Sequence, residues 1–335
     1  MAAKSTHVFK TIGTLSLHLD IYTRTLPPAN DVFTPETPVI LFFHGGGVVS
    51  HDRRLLLPHI VQSSLLRGWP LVSADYRLLP QTKGIDILED IKDAYTFVRT
   101  KLFSILHGSS DSNENVIKNV IVAGCSAGAY ATYQAGHHFQ PRPIALLAYY
   151  GNATVDDPWF RSNKVLTEKP LLQSQIQHFL DEPENCGYTT PAHQFDRSCL
   201  LQDLNPSPDW KKPEEAVEDK ERLPRDTLYF WLLQNNLYPE LMKGFDKSLS
   251  DEEAWKGYTR TVIVHGDEDD MVPYQASVDV ASVIGPVTVK LFTVKGKKHA
   301  FDSGLYLGDP DLELVEEAWR ALDEIVRELS VYTEG

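Results

Sequence analysis

The 335-residue chain predicts an α/β fold, a doubly wound and mostly parallel sheet with an inserted helical cap. Two observations carry that prediction. Short apolar runs too uniform to alternate, as in strands covered on both faces, are separated by stretches whose apolar residues recur every three or four positions. This alternation lapses over residues 152–257 and then resumes. An excursion that leaves a sheet and returns to it is an insertion more simply than a second domain, so residues 1–151 and 258–335 form the expected core.

Taken in order, residues 8–23 alternate around a turn signal at Gly13 and predict an antiparallel edge hairpin. Strands follow at Pro38–His44, Trp69–Tyr76, Asn119–Gly124 and Pro143–Gly151. Helical spacing fills the intervals at residues 55–68, 84–106 and 127–139. Within the insertion, residues 170–180 and 226–238 read as short helices, the latter rich in aromatics, and the Pro-rich stretch Asn205–Pro224 as surface loop with a short helix. The sheet resumes at Arg260–Gly266, continues through a helix near residues 273–284 and a strand at Val287–Val294, and closes on a helix over residues 311–330.

A formal net charge of −14 disfavours a phosphate backbone or anionic lipid as partner. No apolar run reaches the roughly 18 residues that a membrane span needs, and the first residues lack the apolar segment of a leader. Cys125, Cys186 and Cys199 are an odd, widely spaced set that suggests neither a disulfide framework nor a metal site. A cytoplasmic protein without cofactor or metal is the expectation.

Four segments carry candidate chemistry. Gly124-Cys125-Ser126-Ala127-Gly128 lies directly after a strand and before a helix, where a Gly-x-Ser-x-Gly turn would lift a serine oxygen above the sheet. The competing use of Ser126 is as a helix N-cap. His44-Gly45-Gly46-Gly47 follows a strand with three flexible residues able to aim amides at an oxyanion, or simply to turn. Asp267, Asp269 and Asp270 share the loop after the next-to-last strand, and His299 follows the last one in "VKGKKHAFD". One of the three acids would orient that histidine.

Together these segments resemble the α/β-hydrolases, specifically the hormone-sensitive-lipase-like branch. His44–Gly47, the "DYRLLP" segment from Asp75 to Pro80 and "ILEDIKDAYTFV" carry the likeness. The resemblance implies Ser126 as nucleophile, His299 as general acid and base, and Asp269 as orienting acid, since His265, Gly266, Asp269, Val272 and Pro273 match the family's acid loop. It also implies oxyanion donors at Gly46, Gly47 and Ala127, and loop-holding roles for Asp75 and Arg77. Cys125 and Ala129-Tyr130 depart from the branch, and "CSAGAY" is similar to the elbow of kynurenine-formamidase-like enzymes.

The expected activity is cleavage of a carboxylic ester of a small or medium apolar metabolite through an acyl-enzyme. N-formyl amide hydrolysis, acyl transfer or cyclisation on the same machinery, and a non-catalytic small-molecule receptor, are the alternatives. Trp159, Phe160, Tyr229, Phe230 and Trp231 are the candidate pocket residues.

Overall fold

The computed structural model describes residues 2–25, 32–108, 115–186 and 223–333. Cys199 and nearly all of Asn205–Pro224 lie outside the described residues. Among the described residues eight strands form one sheet: β1 (Ala2–Ile12), β2 (Leu15–Arg24), β3 (Val39–Phe43), β4 (Leu71–Ala74), β5 (Val120–Cys125), β6 (Ala145–Tyr149), β7 (Thr261–Gly266) and β8 (Val289–Val294). Their order across the sheet is β1-β2-β4-β3-β5-β6-β7-β8. The β1–β2 hairpin turns at Gly13 (φ 57°) and pairs antiparallel with β4, while every later pairing is parallel.

Strands β3, β4, β5, β6 and β7 are buried at every position, the physical meaning of their unbroken apolar runs. Helices α1 (Pro58–Leu66) and α9 (Glu313–Thr333) cover one face, where Ile60, Val61, Leu65, Val315, Trp319 and Leu322 pack on Ile40, Phe42 and Ile121. Helices α2 (Gly84–His107), α3 (Ala127–His138) and α8 (Tyr274–Ile284) cover the other, over Leu41, Phe43, Val122 and Ile263.

The chain runs from β3 outward to β4 and then returns to place β5 on β3's other side. Such a reversal opens a crevice at the carboxyl ends of the two strands. His44–Gly47 leaves β3 at that crevice and Ser126 leaves β5.

Asp75 and Arg77 brace the loops beside it. The Asp75 carboxylate accepts from the Arg53 guanidinium at 2.8 Å and from the backbone amides of Arg53 and His18. Arg77 donates from Nε and Nη2 to the two oxygens of Asp90 at 2.7 and 3.0 Å, joining the "DYRLLP" segment to α2.

Between β6 and β7 the described residues form α4 (Gln173–Leu180), α5 (Thr227–Gln234), α6 (Tyr238–Leu241) and α7 (Glu252–Trp255). Arg225, fully buried at the start of α5, donates to the carbonyls of Val49 and Leu79 and pairs with Glu182. That ties α4 and α5 to the loop that follows the glycines. Among the described residues no helix is long and apolar enough to cross a membrane.

Candidate active site

Ser126 sits between β5 and α3 with φ 54° and ψ −119°, the left-handed side of the map that side chains rarely adopt. Its amide donates to the Tyr149 carbonyl at 2.9 Å. The flanking glycines permit the turn by close approach: a Cβ on Gly124 would lie 2.2 Å from the Gly128 carbonyl oxygen, and one on Gly128 1.9 Å from that of Phe43. The Ser126 side chain caps no amide of α3. Its hydroxyl instead faces His299 Nε2 at 3.0 Å.

His299 Nδ1 lies 2.7 Å from Asp269 Oδ2. A carboxylate can only accept from this nitrogen, so Nδ1 carries the proton and Nε2 is free to accept from the serine hydroxyl. Asp269 is held in turn by the amides of Met271 and Val272, each 2.8 Å from Oδ1, and by His265 Nε2 at 3.1 Å from Oδ2. Burial pushes its carboxyl up, but the hydrogen bonds of His265 and His299, with the Val272 amide, outweigh burial and hold it well below the usual carboxylate range. It stays charged wherever an imidazolium would need it.

The other two aspartates of this loop are engaged elsewhere. Asp267 meets Lys295 at 2.9 Å and Asp270 meets Lys298 at 3.1 Å, both at the exposed surface. Lys297 turns to Asp311 at 2.6 Å.

The glycine loop is set by its carbonyls. Gly46 (φ 102°) and Gly47 (φ 61°) occupy conformations that favour glycine. The Gly46 carbonyl accepts from the amides of Val49 and Ser50, both at 3.0 Å, and a trans peptide then turns the Gly47 N–H the opposite way. His44 Nδ1 donates to the Gly45 carbonyl at 2.8 Å and orients the Gly46 N–H likewise. Burial lowers the His44 pKa to about 4, against the pull of that carbonyl, so the ring is neutral near pH 7. It stacks on Tyr76 at 4.2 Å, and the Tyr76 hydroxyl donates to the His44 carbonyl. Among the described residues the amides of Gly46, Gly47 and Ala127 meet no acceptor.

Over Ser126 lies an open-sided hollow whose walls include Val48, Ala127, Tyr130, Phe160, Tyr229 and Met242. Phe160 and Tyr229 stand in its wall. Trp159, Phe230 and Trp231 do not line it, a correction with a simple cause: consecutive residues of a helix point about 100° apart, so α5 can turn only one of residues 229–231 inward. Trp159 is half-buried against the core, with Lys164 4.7 Å over its ring.

Several participants escaped sequence reasoning. His265 served there only as a register mark, yet its Nε2 meets two acceptors, Asp269 and the Val272 carbonyl, and its Nδ1 takes the Ser277 hydroxyl at 2.7 Å. Behind His299, Asp302 accepts from Tyr150 at 2.7 Å and contacts His59 Nε2 at 3.0 Å, all three buried. The Tyr150 ring stands edge-on to His299, 5.0 Å between centroids. Position relative to His299 was the available signal for Asp302; His59 and Tyr150 had none. Among the described residues no three His, Cys, Asp or Glu side chains gather to hold a metal ion.

Residues 40–303 match the family model described as alpha/beta hydrolase fold, and the chain belongs to that family. Among solved structures it is similar to an alpha/beta hydrolase superfamily protein from Enterococcus faecalis, with TM-score 0.64, 18% identity and coverage of 97% of this chain and 99% of that one. Among curated proteins it is 28% identical over 323 residues to the non-reducing polyketide synthase Preu3 of Preussia isomera, which takes in 88% of this chain. The match spans 12% of that synthase's length. It is 25% identical over 287 residues to the probable carboxylesterase M8 of a Phoma species, covering 81% of each.

Proposed function

We propose that this chain is a serine hydrolase acting on a carboxylic ester of a small or medium apolar metabolite. The observation that carries the reading is the unbroken relay of Ser126 Oγ, His299 and Asp269 at 3.0 and 2.7 Å, with the serine held at a positive φ. His299 Nε2 takes the hydroxyl proton as Ser126 Oγ attacks the carbonyl carbon, and the tetrahedral oxyanion lies against the amides of Gly46, Gly47 and Ala127. The imidazolium, stabilised by Asp269, returns the proton to the leaving alcohol. Water then repeats the sequence on the acyl-enzyme, with His299 as base, and releases the acid.

Residues 152–257 act in this reading as a cap that sets the shape above the serine. The likeness to a probable carboxylesterase over 81% of both chains supports ester substrates, and the His-Gly-Gly-Gly segment supports the hormone-sensitive-lipase-like branch. A second reading follows from the resemblance to polyketide synthases: the acyl group on Ser126 is a polyketide, handed to water or to another nucleophile.

The test is covalent labelling by an organophosphonate, followed by mass spectrometry, beside ester turnover. Wild type labels at Ser126, and Ser126→Ala loses both the label and turnover by several orders of magnitude. Turnover that survives in Ser126→Ala sinks the proposal.

A further inference from the structure

Among the described residues the hollow over Ser126 is walled mainly by apolar and aromatic side chains, with one amide, Asn152, among them. Three wall tyrosines have their hydroxyl hydrogens committed: Tyr130 to Asp246 at 2.9 Å, Tyr229 to the Met271 carbonyl at 2.8 Å and Tyr238 to the Gly47 carbonyl at 2.7 Å. Asn152, in the same wall and 6% exposed, differs. Its Nδ2 donates to the Thr154 carbonyl at 2.8 Å, which settles the orientation of the amide, because only the NH₂ can face a carbonyl. Among the described residues Oδ1 then meets no donor.

The backbone brings this residue to the serine elbow. Ser126 N is bonded to the Tyr149 carbonyl, and Gly151 packs so closely on the elbow that a Cβ there would lie 2.5 Å from the Ser126 carbonyl oxygen. Residue 152 therefore enters the wall directly beside the nucleophile. An amide oxygen that meets no protein donor and is not sealed from the hollow is open to a donor that the substrate supplies.

We infer that Asn152 Oδ1 reads a hydroxyl on the acyl group, and that the substrate class is esters of hydroxylated aromatic acids. This rests on the serine hydrolase reading above. The rings of Phe160, Tyr229 and Tyr238 offer a flat group apolar contact, and among the described residues no charged side chain stands in the wall to neutralise an ionised acyl group. A ring that carries a hydroxyl matches both the apolar walls and this amide oxygen, a stronger acceptor than the tyrosine hydroxyl oxygens near it.

Matched 4-nitrophenyl esters of hydroxybenzoic and methylbenzoic acids, substituted at the 2, 3 or 4 position, test this because hydroxyl and methyl are nearly equal in size. In wild type, kcat/KM favours the hydroxyl member by about tenfold or more at one ring position, and Asn152→Leu and Asn152→Ser both bring that ratio close to one. In parallel, calorimetry measures binding of the same esters to Ser126→Ala, with and without Asn152→Leu, which requires no chemistry. A hydroxyl-to-methyl ratio that the Asn152 variants leave unchanged, or a wild-type ratio near one at all positions in both turnover and binding, overturns the inference. Binding that prefers the hydroxyl through Asn152, with no turnover of any ester by wild type, upholds the Asn152 assignment and overturns the hydrolase reading instead.

Discussion

Three aspartates in four positions compete for one role, and hydrogen bonding separates them. Asp269 receives two amides and two imidazoles, whereas Asp267 and Asp270 each meet a surface lysine. Asp269→Asn presents an NH₂ or a weaker acceptor to His299 and favours the wrong tautomer, so kcat falls by about 10⁴ while the serine stays in place. Asp267→Asn, at the surface, changes kcat less than about twofold. Steady-state kinetics on one apolar ester checks both, and equal losses would contradict this division of roles. Which of the three acids is used was legible in sequence only through a family register, because each is an aspartate in one polar loop. His265 is the reason that register exists: it closes the loop onto Asp269 and the Val272 carbonyl.

At the scale of elements, α5 and α6 do more than roof the serine. Tyr238, which opens α6, donates to the Gly47 carbonyl at 2.7 Å, and Tyr229 on α5 donates to the Met271 carbonyl in the acid loop. Tyr238→Phe removes one buried hydrogen bond, worth about 1 kcal/mol, and frees the glycine loop. The expected result is kcat lower by roughly tenfold with KM little changed, since looser oxyanion donors weaken the transition state more than substrate binding. Arg225→Met has a larger effect on folding. It leaves two carbonyls and Glu182 without their cation, and the urea midpoint should report a loss of about 3 kcal/mol. A midpoint equal to wild type would show that α5 docks without Arg225.

For the whole molecule, buried ionisable groups impose an acid limit on stability. His44 has a folded pKa near 4, below the roughly 6.5 of an unfolded histidine. The unfolded chain therefore binds more protons between those values, and stability, complete above about pH 6.5, is lost as pH falls through 4, by about 3 kcal/mol at most. Asp269 adds a second loss at lower pH, because its depressed carboxyl contributes fully above about pH 4 and ceases to contribute as pH drops toward its native value. Burial pushes the Asp75 carboxyl up to about 6, which acts in the opposite direction in both proteins, so the His44 contribution is read as the difference: urea denaturation at a series of pH values should show wild type losing more stability than His44→Asn from pH 6.5 to 4. An identical slope in the variant would remove His44 from the account.

The strands were legible because burial on both faces writes itself directly into composition: the expected Pro38–His44, Asn119–Gly124 and Arg260–Gly266 lie within a residue or two of β3, β5 and β7. The serine turn was legible for the same local reason, since its glycines and its flanking strand and helix are neighbours in the chain. Strand order, the convergence of Ser126 with a histidine 173 positions away, and the Asn152 oxygen in the wall depend on contacts between segments that share no local pattern. Hydrophobic periodicity tells each segment which face to bury, and only packing those faces together determines what the polar groups between them meet.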